Sequence, residues 1–77
     1  MKKRFAIQHT PTSKFLYEDE GGLWLLDEED GIISFGSKKR ADEVLSYWIK
    51  YNCPDNNGIM LTEDGDFPKE EFSVVEV

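Results

Sequence analysis

The chain has 77 residues, of which 32% are charged, 39% hydrophobic and 13% aromatic, and its formal net charge is −7. A chain this short makes one domain, residues 1–77, with about 3–5 kcal/mol of stability to draw from a single core. Its aromatic content argues against disorder, no apolar run reaches the ~20 residues of a membrane span, and the acidic balance argues against general nucleic-acid binding.

The first element in chain order is a strand over "RFAIQH", Arg4 to His9, with Phe5 and Ile7 on one face and Ala6 and Gln8 on the other. The turn residues "TPTSK" follow, and "FLY", Phe15 to Tyr17, resumes as the second strand of a hairpin. "EDEGG" then breaks the chain, Gly21 and Gly22 being free to take positive φ. "LWLL", Leu23 to Leu26, and "IISF", Ile32 to Phe35, flank an Asp30-Gly31 turn signal, so the expectation is that they pair antiparallel across the acidic loop Asp27–Asp30.

The helix is written most plainly. Ser37 is a good N-cap, and Ala41, Val44, Leu45, Trp48 and Ile49 recur at i, i+3, i+4, i+7 and i+8, one stripe over 38–51. Asn52 fits the left-handed residue that closes a helix, and Pro54 forbids its resumption. Beyond it lie a loop "CPDNNG", a short strand Ile59 to Leu61, a turn region "TEDGDFPKE", and a final β-branched strand "FSVVEV", Phe72 to Val77. These elements make an α+β domain: a small antiparallel sheet of four to five strands with one helix on one face, the other face left to water or a partner.

Chemistry-bearing patterns are sparse. An EF-hand loop needs Asp at its first position and Gly at its sixth. Setting Gly31, Gly58 or Gly65 at the sixth puts Leu26, Cys53 or Met60 at the first, so each register fails. One Cys and one His cannot make a zinc site. Nucleophilic catalysis needs a base beside Ser or Cys, and nothing in the sequence brings His9 to Cys53. Gly21-Gly22 lacks the Lys-Ser/Thr of a phosphate loop. The expectation is a non-enzymatic protein with no cofactor. The lone Cys53 fits a reducing compartment, and the opening Met-Lys-Lys-Arg is not followed by the apolar run of a secretory leader, which points to the cytoplasm.

Charge is the informative signal, because it is segregated. Bases fill the first stretch (Lys2, Lys3, Arg4, Lys14), acids fill 17–30, Lys38, Lys39 and Arg40 follow, and acids dominate again from Asp55 onward. Lys38, Lys39 and Arg40 occupy the first helical turn, where the backbone already carries about half a positive charge and each cation costs ~0.3–1 kcal/mol. Two explanations stand. The acids of the neighbouring loop neutralise them, although a straight Ile32–Phe35 strand of about 13 Å would hold the clusters apart. Alternatively, they form an anion site for a phosphate, a nucleic-acid backbone or an acidic protein patch. The acids Asp27, Glu28, Glu29, Asp30, Glu63, Asp64 and Asp66 are candidates for contact with a basic protein surface, or a solvated face that keeps the chain in solution. Trp48 belongs to the helix stripe and so to the core; Trp24 is left open between core and stacking platform.

Three segments, "RFAIQHTPTSKFL", "ISFGSKKRADEVL" and "EFSVVEV", together resemble short uncharacterised proteins encoded by tailed phages. The shared features are an opening strand, a Pro-Thr-x-Lys-Phe-Leu turn, a Phe-x-Ser-Lys-x-x-Ala strand-to-helix junction and a hydrophobic last strand. The likeness spans most of the chain and its motifs are structural, so no catalytic residue is carried over. It implies a small acidic protein in the host cytoplasm that acts by binding a host protein. The alternatives are anion or nucleic-acid backbone binding through Lys38, Lys39 and Arg40, and a structural part of an assembly. The sequence leaves the oligomeric state open.

Overall fold

A computed structural model of the chain describes residues 3–27, 31–53 and 58–77. It is the expected α+β domain. The strands are β1 (Phe5–His9), β2 (Lys14–Asp19), β3 (Gly22–Leu26), β4 (Ile59–Thr62), β5 (Gly65–Pro68) and β6 (Phe72–Glu76), and the helix α1 is Lys38–Asn52. A four-stranded antiparallel sheet runs in the order β3-β2-β1-β6, and β4 and β5 form a separate two-stranded sheet.

The turns explain the pairing. β2 and β3 join through Glu20 (φ 50) and Gly21 (φ 83), both in the left-handed region, between the paired residues Asp19 and Gly22. That backbone matches the strand twist and is why the hairpin needs only two loop residues. It also corrects the pairing expected for Leu23–Leu26. β3 pairs with β2 along its whole length, and residues 32–34 form no strand. The 32–35 segment instead crosses to β1, where Phe5 and Phe35 exchange main-chain bonds of 2.8 and 2.7 Å as an isolated bridge. Arg4 fixes it there, donating from Nε to Ser34 Oγ and from Nη2 to Ser34 O. Glu28, Glu29 and Asp30 lie outside the described residues, so the turn expected at Asp30-Gly31 is described only at Gly31, φ +81.

α1 starts at Ser37, whose Oγ accepts from Arg40 N–H at 3.1 Å. Ala41 and Trp48 are buried, and Val44, Leu45 and Ile49 pack against the core, as the stripe predicts. The helix end differs from expectation. Asn52 stays helical and donates its side-chain amide to Trp48 O, and Cys53 N–H closes the last turn on Ile49 O. The "TEDGDFPKE" stretch is also more than a turn. Glu63 and Asp64 join β4 to a fifth strand, β5, with Gly65 at φ +136, a conformation only glycine takes without strain.

Strand pairing sorts the large sheet into two faces. Ile7, Leu16, Leu23, Leu25, Phe72 and Val74 face Trp48 and Met60 and make the core. Ala6, Gln8, Phe15, Tyr17, Trp24, Leu26, Ser73 and Val75 share the opposite face. Ala6 and Phe15 are buried there, and Trp24 is 40% exposed.

Candidate functional site

His9 ends β1 on the core face and is 1% exposed. Its Nε2 lies 2.7 Å from Glu71 Oε1 and its Nδ1 2.8 Å from Thr12 Oγ1. A carboxylate has no proton to give, so Nε2–H donates to Glu71; Nδ1 accepts from the Thr12 hydroxyl when the ring is neutral. The ring sits between Phe67 and Phe72, with centroids 4.3 and 4.9 Å away. Hydroxyl, imidazole and carboxylate in series is the arrangement that activates a nucleophile. Here the ring is walled by aromatics, with 1% of its residue exposed. The chain of bonds ties the β1–β2 turn to the short 3₁₀ turn Lys69–Glu71 that leads into β6. The sequence holds no signal for it, because His9 and Glu71 stand 62 positions apart.

The basic cluster is where the helix start puts it. Lys38, Lys39 and Arg40 are exposed, and none forms an ion pair with an acid among the described residues. Lys38 and Lys39 border a shallow depression whose other walls are Asp42, Glu43 and Ser46. Arg40 belongs to a second groove, floored by Ile33, Phe35, Val44 and Trp48 and rimmed by Glu18, Glu43 and Tyr47. Acids therefore share both depressions with the bases. The straight strand expected to hold Asp27–Asp30 away from Lys38 is absent, since 32–34 is irregular.

The candidate acids divide. Asp64 is a structural residue: its Oδ2 accepts the Leu25 N–H at 2.7 Å, while Glu63 N–H donates to Leu23 O at 2.7 Å. The β4–β5 turn is thereby bolted to the outer edge of β3. Asp66 and Asp27 are exposed, and Glu28, Glu29 and Asp30 are outside the described residues.

The sheet face opposite the core carries the remaining feature. Trp24 lies directly across from Tyr17, beside the pair Phe15 and Leu26. Tyr17 donates its hydroxyl to Asp19 Oδ2 at 2.9 Å. That bond, with some burial and the charges of Asp19 and Glu20, pushes the phenol pKa up from its ordinary 10.0. Asp19 and Glu20 sit at one end of this aromatic pair and exposed Asp27 at the other.

Cys53 is buried, and burial pushes its thiol up, the opposite of an activated nucleophile. Among the described residues no three His, Cys, Asp or Glu side chains gather to hold a metal, and no helix is long and apolar enough to cross a membrane. No protein-family model, curated protein or solved structure matches the chain.

Proposed function

We propose that this chain is a small acidic, non-enzymatic module, phage-encoded, that binds a host protein in the host cytoplasm. The observation that supports this reading is the Trp24–Tyr17 pair on the sheet face opposite the core, with Trp24 40% exposed beside buried Phe15 and acids at both ends of the pair. A large aromatic at the centre of a patch and charge at its rim is the composition of a protein-binding surface. The rim acids would steer a basic partner, and the aromatics would hold it. Anion or nucleic-acid binding through Lys38, Lys39 and Arg40 is less well supported, because Asp42 and Glu43 line the same depressions and would repel a phosphate.

The test is capture from bacterial lysate by tagged wild type, Trp24→Ala, Asp19→Asn with Asp27→Asn, and Lys38→Glu with Lys39→Glu. The reading expects a partner that is lost with Trp24→Ala, weakened by the neutralised acids and by salt, and kept by the Lys variants. A partner indifferent to Trp24 and lost with the Lys variants would select the anion reading instead.

A further inference from the structure

Thr10 N–H donates to Glu71 O at 2.9 Å and Val77 N–H donates to Arg4 O at 2.8 Å. Bonded and non-bonded pairs alternate along an antiparallel ladder. Ser73 and Val75 therefore turn their main-chain groups toward β1, and Phe72, Val74 and Glu76 turn theirs outward, away from the sheet. Phe72 N–H is satisfied locally by Lys69 O. The groups left outward are the N–H of Val74 and of Glu76 and the carbonyls of Phe72, Val74 and Glu76. Among the described residues no other main-chain group bonds to them, since β6 is the last strand of its sheet.

We infer that this edge pairs with a second copy of the chain, β6 against β6, antiparallel about a two-fold axis at Val74. The donors set the register. Centred on Val74, each Val74 N–H meets the Val74 carbonyl of the second copy, and each Glu76 N–H meets the Phe72 carbonyl. Every outward donor is used. The remaining N–H of that ladder, at Phe72, is the one already bonded inside the chain. Charge agrees with this register: Glu76 faces Phe72 of the second copy rather than another Glu76, so no like charges meet, and Lys3 lies 3.9 Å from Glu76. β6 carries few of the devices that keep sheet edges apart, its only charge being Glu76 at its end. It has no Pro, no Lys and no break in its register, and Val74 and Val75 lie in its middle.

Analytical ultracentrifugation of the full chain at about 0.1 M and about 1 M salt tests this, the Debye length falling from about 10 Å to about 3 Å between them. Two copies at −7 repel each other, so the dimer should strengthen with salt, whereas capture of a basic partner weakens; the two readings fail separately. Val74→Pro removes a donor that the single copy does not use and should weaken association at least about tenfold, with the far-ultraviolet circular dichroism unchanged. Wild type that stays monomeric at about 1 mM in high salt overturns the proposal, and so does a dimer undiminished in folded Val74→Pro. Should that variant not fold, cross-linking decides. Ser73 faces Val75 of the second copy in a non-bonded pair, Cα atoms about 4.5 Å apart, which suits a disulfide. A mixture of Ser73→Cys and Val75→Cys chains should cross-link at least about tenfold more than either alone; equal yields overturn the register.

Discussion

The β3 edge and the β6 edge of one sheet end in opposite conditions. At β3, a carbonyl and an N–H that would face solvent are taken up by Glu63 N–H and the Asp64 carboxylate, so the hairpin β4–β5 covers the strand. At β6, the outward groups of Val74 and Glu76 have no partner among the described residues. Both strands are short, both hold apolar side chains on the core face, and both are edges by topology. The difference is a two-residue turn carrying an acid. A small domain can close one edge with a single carboxylate and leave the other as a template for a further strand.

The strongest way to break that contrast acts on the base of β6. His9→Ala removes a buried ring that bonds Glu71 and Thr12 and packs on Phe67 and Phe72. The expected loss is about 2–4 kcal/mol, from the cavity and the stranded carboxylate, read as the urea midpoint. In a domain of this size most of the stability goes with it. Next comes Asp64→Ala, which strips the β3 edge of its cover. It should cost about 1–3 kcal/mol and speed hydrogen exchange at the Leu25 amide specifically, with Asp64→Asn restoring part of both. Exchange at Leu25 no faster than in wild type would mean that the turn is held by something other than Asp64.

Smaller effects sharpen the comparison by acting away from either edge. Lys38→Glu and Lys39→Glu should each change stability by less than about 1 kcal/mol at low salt, because the gain from an acid at the helix start is opposed by the like charge at i+4, Asp42 or Glu43. The smallest is a pH effect at Cys53. Its thiol is raised above the ordinary 9.0 in the fold, so the folded chain holds that proton more tightly than the unfolded one. The stability this contributes is present below about pH 9 and is lost as pH rises through the folded value. Urea melts at about pH 8 and about pH 10 should therefore differ more in wild type than in Cys53→Ala.

Local signals made much of this architecture legible. The alternation in Phe5–His9, the stripe Ala41–Ile49 and the β-branched Phe72–Glu76 each specify an element by their own period, and each is found. What misled was competition between turns. Asp30-Gly31 carries the stronger textual signal, yet Glu20-Gly21 closes β2 onto β3 with only two residues, and a strand has just two edges to give. Ile32–Phe35, apolar enough for a strand, then had only the start of β1 to meet. β5 was hidden by Gly65 and Pro68, residues a central strand excludes but a two-stranded edge tolerates. Of the candidate site, the exposure of Lys38, Lys39 and Arg40 follows from their place in the first helical turn, ahead of the stripe that begins at Ala41. The structural duty of Asp64 does not, since its partner lies 39 positions away. Trp24, undecided from sequence, is assigned by register: it shares a face with Tyr17 rather than with Leu23 and Leu25.

One consequence of the sheet order concerns time rather than geometry. β1 pairs with β6, and every other element of the fold lies between the two in the chain. At about 5–20 residues per second, several seconds of synthesis pass between them. Until then the hairpin β1–β2–β3 can form, but the side of β1 reserved for β6 lies bare. During synthesis the domain thus holds an open edge at β1, and it completes its sheet by moving that opening outward, one strand further, to β6.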